Sequence, residues 1–281
     1  MNRSTTLTVI AAALCLAPGV GTSLGQDVPK LKQAKDVPGL VRLLRHQDGR
    51  VRSSSAVALS GTIREIDDSK TLAHFVLPLV DVTLRDPYST VREYAGRALQ
   101  HCLQNVDDVS ILRGAVPPMV DALNAAEVEE TRRRYCAVQL SRVIPQIDYE
   151  PLLVQSMPPL LSATIEDPNA DVREFAGRAL KSALPRVRDE ETLRAGMVAL
   201  AQTLTHEDVK RRRYAAVLLS WVVSKDPELE TLRAISSRVT EASERDRDEE
   251  VREYAGRADR DIQRRLQLAA AAAKLTGPKG Q

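Results

Sequence analysis

The sequence predicts an all-α fold, a right-handed α-solenoid (superhelix) of about six consecutive helix pairs. Two observations support this prediction. One segment recurs six times at a nearly constant spacing, and each copy places its apolar residues on one face of a helix. A third observation is the low aromatic content of 3% in 281 residues, which favours a core of Ala, Leu and Val between closely packed helices.

The recurring segment is clearest in three nearly identical copies, VREYAGRAL, VREFAGRAL and VREYAGRAD. The starting positions of all six copies, which we call anchors, are Val51, Val91, Arg132, Val172, Arg211 and Val251. Successive anchors are 40, 41, 40, 39 and 40 residues apart. One structural unit of about 40 residues is therefore expected to occur six times.

Each anchor begins the second helix of a pair. In the second unit the apolar residues lie at the anchor and three, four, seven and eight positions later, which is one face of an α-helix. An aspartate lies five residues before three anchors, at Asp86, Asp167 and Asp246, where a carboxylate is expected to cap the helix start. The first helices are predicted upstream of these turns, for example over residues 71–84, 109–124, 149–165 and 191–205.

These features resemble the HEAT-type repeat: an Asp, a Val-Arg five residues later, and Ala at helical spacing. The resemblance extends from about Val37 to Leu275. A further mark is a proline in the first helix, at Pro38, Pro78, Pro118 and Pro159. The resemblance implies a solenoid in which neighbouring pairs share one core. It also implies that the second helices line a concave face, where such folds usually bind.

The residue after each anchor is arginine: Arg52, Arg92, Arg133, Arg173, Arg212 and Arg252. These residues could form a basic stripe, or they could form the Asp-Arg ladder that links adjacent repeats in HEAT families. We favour the ladder, because acidic residues occur nearby in the same repeats. The chain carries a net charge of only +2, so binding to nucleic acid or to an anionic membrane is not expected. Membrane insertion of the mature protein is not expected either.

The next position of each helix alternates in charge: Ser53, Glu93, Arg134, Glu174, Arg213 and Glu253. If second helices lie side by side, this row forms a line of opposite charges about 10 Å apart. Four residues later, arginines can pair with the glutamates in three repeats, and valines, Val57 among them, occupy the others. The candidate partner-binding residues are Glu93, Arg97, Arg134, Val138, Glu174, Arg178, Arg213, Val217, Glu253 and Arg257. This two-repeat period is explained either by duplication of a repeat pair or by a groove for an extended partner.

The first 25 residues have the composition of a cleaved export signal. Arg3 is positive, residues 7–20 are apolar, and small residues follow. A membrane anchor needs about 20 apolar residues, whereas this run is shorter and contains Pro18. Cys15 lacks the small preceding residue of a lipoprotein signal, so lipidation is not expected.

The rest of the chain is predicted to have three parts. Residues 26–36 form a linker, residues 37–275 form the solenoid, and residues 276–281 form a disordered tail. Export would place the mature protein in a periplasm or outside the cell. Cys102 and Cys136 are expected to be buried free thiols, because the repeat register puts them about 10 Å apart along the helix axis, beyond the reach of a disulfide.

Catalytic chemistry is not expected. HEAT-type deoxyhypusine hydroxylases hold two irons with paired His-Glu dyads, but only His206-Glu207 matches here. We interpret this dyad as part of a turn. Phycobilin lyases and HEAT-like DNA glycosylases also resemble this architecture, but they act inside the cell, which the export signal disfavours. Trp221 is interpreted as a core or groove residue, with a stacking platform as the alternative.

The predicted function is therefore a non-catalytic, monomeric scaffold that binds a protein or peptide on its concave face, with no cofactor and no metal. A HEAT-like enzyme or lyase is one alternative. An adaptor that binds through its convex first helices or its long terminal helix is another.

Overall fold

The structure, a computed structural model, describes residues 27–125, 128–225 and 228–276, without the side chains of residues 274–276. Within these ranges the chain is helical and contains no strand. The helices are α1 Val28–Gln33, α2 Val37–Leu43, α3 Gly49–Thr62, α4 Ser69–Arg85, α5 Ser89–Asn105, α6 Val109–Asn124, α7 Glu130–Val143, α8 Glu150–Glu166, α9 Ala170–Ala183, α10 Glu190–Thr203, α11 Val209–Val222, α12 Leu229–Arg245 and α13 Glu249–Thr276. The predicted export signal, residues 1–25, and the tail after residue 276 lie outside the described residues.

Six helix pairs run from α2/α3 to α12/α13. Each first helix from α4 onward packs on its own second helix and on the first helices of its neighbours. The buried residues form one continuous core along the whole array, rich in Ala, Leu and Val. It includes the leucines at the eighth position after an anchor, such as Leu99, Leu140 and Leu180, all of them fully buried. The prediction of an all-α solenoid of six helix pairs is confirmed.

The N-terminal end differs from the expectation. Residues 26–36 were predicted to be a linker, but they contain α1, whose Val28 is buried in the core. Helix α1 packs on α3 and α2. Lys35 has a positive φ of 54° and Pro38 lies in the first turn of α2, so α1 and α2 together take the place of one continuous first helix. Pro78, by contrast, lies inside the unbroken helix α4.

The helix caps also differ from the prediction. Asp86 and Asp167 do not cap the helices that follow them. Each accepts a hydrogen bond from the backbone N–H two residues later, at 2.9 Å for Asp86 and 2.8 Å for Asp167, and so closes the turn before the helix. Asn169 is the residue that caps α9. The aspartates instead have a partner in the preceding repeat, described below.

Contacts between successive second helices alternate. Helices α3 and α5, α7 and α9, and α11 and α13 pack closely, whereas α5 meets α7, and α9 meets α11, at few points. At both of the looser contacts a tyrosine ring lies over a glycine of the preceding helix: Tyr135 over Gly96, and Tyr214 over Gly177. The Tyr135 hydroxyl also donates to the Gly96 carbonyl oxygen. The ring therefore lies between the two helices and bonds them, and the second helices form three closely packed couples.

Candidate functional site

The arginines that follow the anchors are built into the repeat junctions. Arg133 donates from Nε to Asp167 of the next repeat at 2.8 Å and from Nη1 to the Val128 carbonyl of its own turn at 2.6 Å. Its side chain is 15% exposed and that of Asp167 is 5% exposed. Arg52 binds Asp86 in the same way. The Asp-Arg ladder is confirmed, and the basic stripe is not formed.

The acidic partner of the ladder arginine differs between the close and the looser junctions. In the three close junctions the arginine meets a buried aspartate at 2.7–2.8 Å. In the two looser junctions the arginines are Arg92, which reaches Glu129, and Arg173, which lies 3.6 Å from Asp208. Both also donate to two carbonyls of their own turn. The two-repeat period of the sequence therefore corresponds to two kinds of junction.

Six of the ten predicted site residues form three groups with the same geometry. Arg97 of α5 binds Glu93 of its own helix and lies over the ring of Tyr94, 4.8 Å from the ring centre. The equivalent groups are Glu174, Phe175 and Arg178 on α9, and Glu253, Tyr254 and Arg257 on α13. We call these three groups the triads. Their charged side chains are about half exposed, so solvent screens each ion pair and its contribution to stability is about 0 to 1 kcal/mol.

The two intervening arginines do not pair with the triads. Arg134 of α7 binds Asp171 at 2.7 Å, and Arg213 of α11 binds Asp248 at 2.6 Å and Glu250 at 3.1 Å. Each partner lies at the start of the next second helix. The Arg213 guanidinium lowers the pKa of Asp248 to about 2, through the side-chain hydrogen bond between them. The charged residues of the expected line therefore pair with local partners and not with one another.

The valines of the candidate site, Val138 of α7 and Val217 of α11, are half-buried. Val57, at the same position of α3 but not among the candidate residues, is exposed. Together with the triads, Arg134 and Arg213, these valines form a surface that we call the second-helix face. The structure brings all ten predicted residues onto exposed or half-buried positions of α5, α7, α9, α11 and α13.

The sequence interpretation missed the importance of Trp221. It lies in the last turn of α11 with 46% of its surface exposed, so it is not a core residue. The Lys181 ammonium of α9 lies 4.4 Å from the centre of the indole ring. A cleft of about 430 Å³ opens beside it, lined by Ser220, Trp221, Ser224, Arg257, Arg260 and Asp261. We call this the Trp221 cleft. The only signal of this cleft in the sequence is a tryptophan two residues after the last position of the regular apolar face.

The His206-Glu207 dyad forms a turn, as expected. His206 Nδ1 accepts from the Asp208 backbone N–H at 2.9 Å, and Asp208 caps α11. Within the described parts of the chain, no group of three or more His, Cys, Asp or Glu side chains could hold a metal ion. None of the described helices is long and apolar enough to cross a membrane.

The cysteines match the prediction. Cys102 and Cys136 are buried free thiols. Burial raises the pKa of each thiol to about 12, because a thiolate would lose its hydration in the core. They act as small apolar residues of the core.

The fold and the junctions define an α-helical repeat solenoid, and its fold is similar to that of HEAT-like and armadillo repeat proteins. An engineered protein of solved structure superposes with a TM-score of 0.57 and 21% identity, over 82% of this chain and 97% of that chain. The HEAT-like repeats protein of the archaeon Thermococcus onnurineus NA1 gives 0.56 and 15%, over 87% and 99%. A designed armadillo repeat protein in complex with the peptide (KR)4 gives 0.54 and 16%, over 81% and 99%.

At these identities the likeness concerns the fold. No family description matches the sequence, and no curated protein matches it.

Proposed function

We propose that this protein is a non-catalytic, monomeric scaffold that binds an extended segment of another protein along its second-helix face. The observation that supports this most is the exposure of the charged triad side chains in register on that face, with Trp221 at 46% exposure near its C-terminal end. The rings of the triads pack partly against the core, but neither these charged groups nor Trp221 belong to it. They are available to a partner, and the resemblance to HEAT repeats implies that the face is concave.

The spacing of the triads suits an extended partner. Equivalent triads lie two repeats apart, and neighbouring packed helices are about 8 to 10 Å apart. The triads are therefore separated by about 20 Å, which about six residues of extended chain would cover. The designed armadillo protein that superposes on this chain is in complex with a peptide, which supports peptide binding as a use of this architecture.

We also propose that the protein is exported to a periplasm or to the extracellular space. The basis is residues 1–25, with their positive start, apolar run and small residues at the end. Expression of the full chain followed by N-terminal sequencing of the secreted product tests it. A mature protein that starts near residue 26 is expected, and an uncleaved protein in the cytoplasm would contradict the proposal.

A selection experiment tests the scaffold. The full chain is used to select binders from a displayed library of random 12-residue peptides, and the binders are measured by calorimetry. The variant E93K/E174K/E253K reverses one charge in each triad. The control D81K/E166K/E244K makes the same change in net charge at exposed positions of the first helices α4, α8 and α12.

Peptides that bind the native protein and the control, but at least tenfold more weakly to the triad variant, are the expected result. Equal binding to both variants would place the contacts on other surfaces, such as the first helices. Failure to select any binder would contradict the scaffold function. Far-UV circular dichroism and thermal unfolding of both variants show whether they fold.

A further inference from the structure

We infer that the Trp221 cleft binds an acidic segment of the partner, with its carboxylates beside Lys181 and Arg260 and an apolar side chain on the indole. This inference rests on the proposed function and specifies the chemistry of the partner. It concerns one end of the second-helix face, where α9, α11 and α13 contribute one side chain each.

The charge around the cleft is positive. Arg257 and Arg260 line it, Lys181 lies on the indole ring, and the one carboxylate in the lining, Asp261, is bound to Arg264 at 3.0 Å. Arg257 is already bound to Glu253. In the described part of the chain, no carboxylate lies within ion-pair distance of Lys181 or Arg260. Two exposed cations are therefore available to an anionic ligand.

The two-repeat period of the triads does not extend to this cleft. The residues equivalent to Trp221 in the other two odd-numbered repeats are Gly61 and Arg142. Lys181 and Arg260 occupy the same position in the fourth and sixth repeats, and the equivalent residue of the second repeat is Gln100. The cleft is thus a feature of the last three repeats alone. An exposed tryptophan between two cations is a local specialisation that neither the core nor the repeat junctions require.

The serines of the cleft limit what the ligand can be. Ser220 Oγ donates to the Val217 carbonyl at 2.7 Å, and Ser224 Oγ donates to the Trp221 carbonyl at 2.7 Å. Their hydroxyl protons are used within the helix, so the donors that remain in the lining are the charged groups and the indole N–H of Trp221. A basic segment would meet three cations at close range, whereas an acidic segment would be attracted to them. The indole face offers stacking or apolar contact as well.

The size of the segment follows from the helix spacing. The helices that carry Lys181 and Arg260 are separated by two spacings of about 10 Å. About six residues of extended chain, at about 3.3 Å each, would cross this distance. Acidic residues at every second position of the segment would place their carboxylates on the one face that is turned to Lys181 and Arg260.

The experiment uses the single tryptophan of the chain as its reporter. An acetylated octapeptide of alternating Asp and Leu is titrated into the full chain at low salt, and Trp221 emission and calorimetry are recorded. The same peptide with Lys in place of Asp, and with Ser in place of Asp, serve as comparisons. The variant K181A/R260A removes the two free cations. The control R233A/R238A removes two exposed cations from the first helix α12.

We expect the acidic peptide to bind more tightly than either comparison peptide and to shift or quench Trp221 emission. K181A/R260A should weaken this binding at least tenfold, and R233A/R238A should change it less than twofold. Binding of the acidic peptide without a change in emission, or with equal affinity for both variants, would overturn the inference by placing the site elsewhere.

Preference for the basic or the neutral peptide would also overturn it, while the scaffold function would stand. If none of the three peptides binds and the library selection also yields no binder, both proposals fail.

Discussion

A methyl group added at the same repeat position should have opposite effects in different repeats. Gly96, Gly177 and Gly256 are equivalent residues of α5, α9 and α13. A Cβ at Gly256 would lie 3.6 Å from its nearest neighbour, an ordinary contact, whereas at Gly96 it would lie 2.8 Å from Cε2 of Tyr135. Comparison of the three Gly→Ala variants therefore shows how tightly the ring of Tyr135 packs on α5.

The magnitudes follow from two opposing effects. Replacing Gly by Ala inside a helix stabilises it by about 0.5 to 1 kcal/mol, and this is the full effect expected for G256A. Overpacking costs about 1 to 3 kcal/mol, and displacing the ring from Gly96 also breaks the Tyr135 hydroxyl bond, which contributes about 0.5 to 1.5 kcal/mol. G96A should then lose about 0.5 to 4 kcal/mol overall. G177A, with neighbours at 3.3 and 3.5 Å, should lie between the two.

Urea unfolding followed by far-UV circular dichroism gives the three free energies of unfolding. A double-mutant cycle identifies the cause, because in the background Tyr135→Leu the change G96A should cost less than half as much. The reasoning is refuted if G96A is as stable as G256A, or if its cost is the same with and without the tyrosine ring.

Three further predictions concern buried polar groups. D167A should lower the free energy of unfolding by about 3 to 5 kcal/mol, because it leaves the buried Arg133 without its carboxylate. E174A removes a solvent-exposed pair and should lower it by at most about 1 kcal/mol. Urea unfolding of the two variants compares these values. Gln139 is buried with no hydrogen-bond partner for either amide atom. Q139L should therefore raise the free energy of unfolding by about 1 to 3 kcal/mol, which is measured as a higher thermal unfolding temperature. A lower unfolding temperature would contradict this. Cys102 and Cys136, with a pKa of about 12, should not react with an aromatic disulfide reagent at pH 8 until urea unfolds the chain, and rapid labelling of the native protein would show that the thiols are accessible.

The sequence predicted the parts of the fold that depend on period and register. The anchors, spaced by about 40 residues, located all six second helices, and the arginine after each anchor located the ladder. Both follow from local rules: apolar residues at helical spacing must face the core, and a residue at the same position of each repeat meets the same neighbour. The i,i+4 pairs of the triads, such as Glu93 with Arg97, were predictable for the same reason.

The features that escaped prediction depend on competition between partners. Asp86 could cap a helix or accept from an arginine, and only the packed arrangement places Arg52 within 2.7 Å of it. The segment 26–36 has too few apolar residues to predict a helix by period, yet α1 forms within it and buries Val28 against the array. The exposure of Trp221 could not be predicted either, because its position lies just beyond the regular apolar face.

The two-repeat period of the charges has a local structural cause. Where second helices pack closely, Arg134 and Arg213 are near enough to bind the acidic start of the next helix. Where a tyrosine ring separates the helices, the glutamate of the row binds an arginine of its own helix instead. The sign alternation therefore coincides with the two kinds of junction in the first five repeats, and α13, the last described helix, keeps the Glu253–Arg257 pair without a following junction. The Trp221 cleft has no such cause, since no junction needs an exposed indole between two free cations, and this makes it the surface on which a partner is best sought.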